Sequence, residues 1–88
     1  MKIHPTAIIS EKSKIDNSVE VGPFCIIDED VEIKKGTKLL SHVVLRGPTF
    51  IGEDNIFYQF STIGEDTPDK KFKGEKTELK IGDRNIFR

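Results

Sequence analysis

Val19-Glu20-Val21-Gly22-Pro23-Phe24-Cys25-Ile26-Ile27-Asp28-Glu29-Asp30-Val31-Glu32-Ile33 holds the pattern that decides the fold. Val21, Ile27 and Ile33 are spaced by six, and two residues before each stands Val19, Cys25 or Val31. Moving outward in steps of six, the large column reads Ile3, Ile9 and Ile15 on one side. On the other it reads Leu39, Leu45, Ile51, Phe57 and Ile63. All are Ile, Val, Leu or Phe, types that fill 27 of the 88 positions. An unbroken column of this length has chance odds of about one in 10⁵, six phases allowed. The smaller column continues as Ala7, Ser13, Thr37, Val43, Thr49, Asn55 and Ser61. Residues two apart on a strand share a face, so each unit offers one small and one large inward side chain.

Helix is excluded, because six is not close to a multiple of 3.6. A meander or sandwich wants turns every 8–12 residues. Short strands with a turn in every hexad describe a solenoid of parallel strands, an all-β fold. Three hexads make one triangular coil, stacked on the next at about 4.8 Å. Gly22, Gly52, Gly64 and Gly82 each follow a large residue, and their recurrence marks coil turns rather than a phosphate-binding loop.

Composition agrees. Apolar residues make up only 35% of the chain, too few for a broad core but enough for narrow inward rows. One domain spanning 1–88 is expected. A formal net charge of −1 argues against a basic nucleic-acid face. The longest apolar run, Phe24 to Ile27, is far short of the ~20 residues a membrane-spanning helix needs. No secretory signal is visible at Met1-Lys2-Ile3-His4-Pro5, so the expected location is cytoplasmic. A single Cys25, at a small inward position, reads as a core thiol, and one Cys with two His gives no zinc spacing.

The column breaks at Asp69 and Glu75 and returns at Ile81 and Phe87. Buried unpaired carboxylates are costly, so the chain should leave the coil there as a loop over 65–80. The phase returns at Ile81, three hexads after Ile63, which reads as one coil's worth of sequence. With five acids and five lysines, the loop could be no more than a solvated charged segment. His4 and His42 fall at turns and read as structural or surface residues. Outward positions form three rows. Ile8, Ile26, Val44 and Thr62 make an apolar stripe, whereas rows beginning Lys14, Glu32 and Glu20, Lys38 are charged. Such a stripe marks a contact surface.

The hexads, with His4-Pro5-Thr6-Ala7, Gly22-Pro23-Phe24, Ser41-His42-Val43-Val44, Tyr58-Gln59-Phe60, Asp69, Lys71, Lys73-Gly74-Glu75 and Ile81-Gly82-Asp83, resemble the hexapeptide-repeat acyltransferases. Within them the chain is most similar to the acyl-[acyl-carrier-protein]–UDP-N-acetylglucosamine O-acyltransferase family. The resemblance implies a left-handed parallel β-helix; spacing alone does not set the hand. It implies transfer of a 3-hydroxyacyl chain from acyl carrier protein to the 3-hydroxyl of UDP-N-acetylglucosamine, the first step of lipid A biosynthesis, with no metal or organic cofactor. It also implies a homotrimer in which Asp69 and Lys71 bind substrate at a neighbour's active site. Pro68 departs from the family, which commonly has Gln there. The family's catalytic His bases align with neither His4 nor His42, so no catalytic residue is expected in this segment. Arg88 follows a large inward position, so the chain reads as an N-terminal segment, inactive alone, whose open edge could join trimers end to end. Two other readings stay open. One is a non-catalytic trimerising solenoid; the other is a different hexapeptide-repeat acyl- or acetyltransferase.

Overall fold

The computed structural model describes residues 2–64 and 78–88. Among the described residues thirteen short strands follow one another. They are β1 (Lys2–Ile3), β2 (Ile8–Ile9), β3 (Lys14–Ile15), β4 (Glu20–Val21), β5 (Ile26–Ile27), β6 (Val31–Ile33) and β7 (Lys38–Leu39). Then come β8 (Val44–Leu45), β9 (Thr49–Ile51), β10 (Ile56–Phe57), β11 (Thr62–Ile63), β12 (Leu79–Ile81) and β13 (Ile86–Phe87). Every strand ends on a member of the large column.

All pairings are parallel and join strands of successive coils. Three sheets result: β1-β4-β7-β10-β13, β2-β5-β8-β11 and β3-β6-β9-β12. Below the break the register advances by three hexads per coil, as in Ile9↔Ile27 and Ile27↔Leu45. From Val19 to Phe57 the inward columns are closed to solvent: Val21, Ile27, Ile33, Leu39, Leu45, Ile51 and Phe57 are buried, as are Val19, Cys25, Val31 and Val43 beside them. Full burial of a side chain of this size contributes about 1.5–3 kcal/mol, so a single file of them can hold a thin rod together.

The small column tolerates hydroxyls because each finds a backbone carbonyl: Thr37 Oγ1 donates to Gly52 O of the next coil, and the others bend back to their own turns. Ser13 Oγ donates to Ser10 O at 2.7 Å and Ser61 Oγ to Tyr58 O at 2.6 Å. Thr49 Oγ1 makes the same bond to Arg46 O. No buried side-chain polar atom among the described residues lacks a partner.

One expectation needs correction. A segment worth a whole coil would return Ile81 to the sheet of Ile63. Instead Ile81 pairs with Ile51, on the next sheet, and Phe87 pairs with Phe57. Register there spans five hexads rather than three, so the excursion adds two hexads within a coil. A six-residue period cannot tell the faces apart by counting, because two hexads and three both preserve phase. Strand also resumes at Leu79, so Leu79 and Lys80, expected in the loop, belong to β12.

Candidate functional site

Outward side chains of the middle sheet stack in register as Ile8, Ile26, Val44 and Thr62. Ile8 is 65% exposed. Lys2, Glu20 and Lys38 form the lower part of one neighbouring row and Lys14 and Glu32 that of the other, with opposite charges on adjacent strands. Higher up these rows turn apolar at Ile56, Ile86 and Phe50. The stripe expected from the spacing is therefore present.

Beside the stripe lies a feature the sequence reading missed. The corners before β5, β8 and β11 hold Phe24, His42 and Phe60, each in the left-handed backbone region with φ of 58°, 52° and 66°. That region costs a non-glycine residue about 1–2 kcal/mol. The rings stack: the centroids of Phe24 and His42 are 5.1 Å apart, as are those of His42 and Phe60. Phe24 is 56% and Phe60 76% exposed. Recurrence of an aromatic ring at every third hexad from Phe24 to Phe60 was the available signal. Together the ladder and the stripe give one apolar flank on a rod whose other two faces carry charge over the lower coils.

Neither histidine is set up as a base. His42 lies between two phenyl rings. His4 Nδ1 accepts the Thr6 backbone N–H at 3.2 Å and lies 2.9 Å from Thr6 Oγ1. With Nδ1 an acceptor, the neutral ring carries its proton on Nε2. Thr6 Oγ1 in turn accepts the Phe24 N–H at 2.9 Å, which starts the ladder. Cys25 is fully buried. Burial pushes its thiol above the usual range, although nearby backbone groups oppose the shift, so it is no nucleophile. Among the described residues no three His, Cys, Asp or Glu side chains converge as a metal site would require. No described helix is long and apolar enough to cross a membrane.

Gly64, the last described residue before the break, has a φ of +78°. A side chain there would run into Arg46 O, 2.3 Å from where its Cβ would lie. Below it Arg46 Nη1 donates to Asp28 Oδ2 at 2.7 Å on the surface. Asp69 and Lys71, the expected substrate-binding pair, lie outside the described residues, as do Pro68 and Phe72.

No family model matches the chain. Known proteins do. An acyl-[acyl-carrier-protein]–UDP-N-acetylglucosamine O-acyltransferase of Saccharophagus degradans is 57% identical over 86 residues, covering 98% of this chain and 33% of the relative. The enzyme of the same name from a Psychrobacter species is 49% identical over 87 residues, 99% of this chain and 34% of the relative. The crystal structure of the UDP-N-acetylglucosamine O-acyltransferase from Moraxella catarrhalis superposes with a TM-score of 0.92 at 46% identity. It covers the whole of this chain and 34% of that one. Along its whole length this chain is homologous to those acyltransferases. It spans about a third of their length. The coil is their left-handed parallel β-helix, so the resemblance read from the hexads and the hand it implied both hold.

Proposed function

We propose that this chain supplies coils of an acyltransferase that moves a 3-hydroxyacyl group from acyl carrier protein to the 3-hydroxyl of UDP-N-acetylglucosamine, opening lipid A biosynthesis in the cytoplasm. The observation that carries the reading is the whole-length match, at 49–57% identity, to enzymes with that name. In such a transfer the sugar hydroxyl oxygen bonds to the acyl carbonyl carbon, the carbon–sulfur bond breaks, and the thiol leaves with a proton. The step calls for a base on the sugar hydroxyl and donors for the oxyanion. His4 and His42 are both otherwise engaged, so the 88 residues on their own should not turn over. Asp69 and Lys71 are assigned to substrate binding by the resemblance, Asp69 as a hydrogen-bond acceptor and Lys71 as a cation facing substrate or carrier phosphate.

The functional unit in this reading is a homotrimer, with the flank of Ile8, Ile26, Val44 and the aromatic corner towards the neighbouring subunits. The same flank would also serve a trimerising solenoid without catalysis. A chimera separates the two. These 88 residues replace the matching third of the Saccharophagus degradans enzyme, and transfer from acyl carrier protein to UDP-N-acetylglucosamine is assayed. Activity within tenfold of the parent is expected, with a loss of about 10²-fold or more on Asp69→Ala. A folded, trimeric but inactive chimera would overturn the catalytic reading and leave the assembly reading standing.

A further inference from the structure

Ile51-Gly52-Glu53-Asp54-Asn55-Ile56-Phe57 and Ile81-Gly82-Asp83-Arg84-Asn85-Ile86-Phe87 agree at five of seven positions. The second copy lies directly on the first. Ile51 pairs with Ile81, Ile56 with Ile86 and Phe57 with Phe87, whose rings stack at 4.7 Å and 6°. With Leu79 and Lys80, which pair with Thr49 and Phe50, it is the stretch where the described coil resumes.

Apolar columns discriminate poorly at that point. In a register shifted one face on, an inward Ile81 would pack on Phe57 much as it packs on Ile51. Polar contacts do discriminate. Asn55 is fully buried in a column that holds Val19 and Thr37 below it. Its Nδ2 donates to Gly82 O at 2.8 Å, and its Oδ1 accepts the Asn85 N–H at 2.8 Å. Asp83 Oδ1 accepts the Glu53 N–H at 2.7 Å, and the Arg84 N–H goes to Glu53 O at 2.9 Å. Room for the Asp83 carboxylate exists because residue 52 is glycine: a Cβ there would lie 2.1 Å from Asp83 Oδ1. From beneath, Thr37 Oγ1 accepts the Asn55 N–H and donates to Gly52 O, which holds the lower copy in place. Moved one face on, Asn55 would meet Leu79 in place of Asn85, and its buried amide would lose both partners. Leaving such groups unmade is strongly unfavourable.

We propose that Asn55 and Asp83 form a register clamp, a positioning device that makes the coil resume one face after it was left. The clamp thereby sets the two ends of the excursion on adjacent faces of the rod. Its use in placing Asp69 and Lys71 rests on the acyltransferase reading; the clamp itself does not.

Amide hydrogen exchange of the whole chain, followed by NMR, tests it. Asn55→Val fills the column with the residue type found at Val19 but removes both side-chain bonds. The Asn85 amide should then exchange at least tenfold faster, while Gly22 and Asp28, bonded within the lower coils, stay within twofold. Asp83→Ala, a surface change, should accelerate Glu53 in the same selective way, and it decides the question if Asn55→Val fails to fold. Unchanged protection at the reporter amides, or equal acceleration throughout the rod, overturns the clamp. Failure of the acyltransferase reading would show instead as an inactive chimera with the exchange pattern intact.

Discussion

Ile26 and Ile27 are the same side chain on one two-residue strand, yet Ile27 is sealed in the core while Ile26 faces outward in the stripe. The difference separates two demands on the sequence. The large inward positions must be apolar for the rod to exist, and every described coil meets that demand. Outward positions are free, and two lower rows use the freedom for alternating Lys and Glu. The third row does not. Isoleucine kept where lysine would serve the isolated coil equally well implies a surface that something covers.

Breaking the inward side should have the largest effect. Ile27→Asp would leave an unpaired carboxylate in a dry column between Ile9 and Leu45. That cost, several kcal/mol, is comparable with the whole stability of a small domain. The expected result is loss of the β-type far-UV circular dichroism signal or recovery only as insoluble protein. A soluble Ile27→Asp with an unchanged melting temperature would mean that the core is wrongly assigned.

Its outward neighbour should behave oppositely. Ile26→Lys matches the charged rows and should keep the fold, with the melting temperature of the separated chain within a few degrees of the parent. Assembly should suffer instead. Sedimentation equilibrium at tens of micromolar should show trimers for the parent and 10.0 kDa monomers for the variant. A parent that is itself monomeric would remove the reason for the stripe.

The aromatic corner sharpens the same contrast. Phe60→Gly relieves a left-handed φ worth about 1–2 kcal/mol. It gives up a stacked ring worth about 0.5–1.5 kcal/mol and adds glycine's backbone entropy, about 0.5–1 kcal/mol. These nearly cancel, so thermal stability of the monomer should move by no more than about 1 kcal/mol. If the rings exist for a neighbouring subunit, trimer dissociation should nevertheless rise at least tenfold. A large stability loss with unchanged assembly would make the ladder an internal brace.

Much of this was legible in the hexads. Period six placed the strands, the two inward columns, the buried Cys25 and the outward rows, because a coil stacking on itself repeats each constraint at a fixed interval. Asp69 and Glu75 violate the column, but they lie outside the described residues. The face of return was misread, since phase alone cannot distinguish two added hexads from three. The signal that would have settled it is the duplicated Ile-Gly-x-x-Asn-Ile-Phe, whose separation of five hexads equals one coil plus two hexads. The Phe24–His42–Phe60 ladder escaped for a different reason. Corner residues lie outside both inward columns, and nothing in a strand period says which way a left-handed turn aims its side chain.

The smallest expected effect belongs to an outward polar group with no part in either surface. Asp16 Oδ2 accepts the Ser18 N–H at 2.9 Å and the Ser18 hydroxyl at 2.7 Å. Ser18 Oγ then accepts the Gly36 N–H of the next coil at 2.8 Å. The Ser18 backbone bond, followed by its hydroxyl, holds the Asp16 carboxyl below its usual range, with Lys35 adding a little. A carboxyl depressed on folding binds fewer protons in the folded chain than in the unfolded one. Its stabilisation is therefore present above the unfolded pKa, about 3.9, and fades as pH falls through the lower folded value. Asp16→Asn keeps an acceptor but cannot titrate. The melting-temperature gap between parent and variant should be small and constant from about pH 7 down to about 5, then close as pH falls below about 4. A gap independent of pH across that range would show that the charge on Asp16 contributes nothing, and that the turn is held by geometry that either side chain can supply.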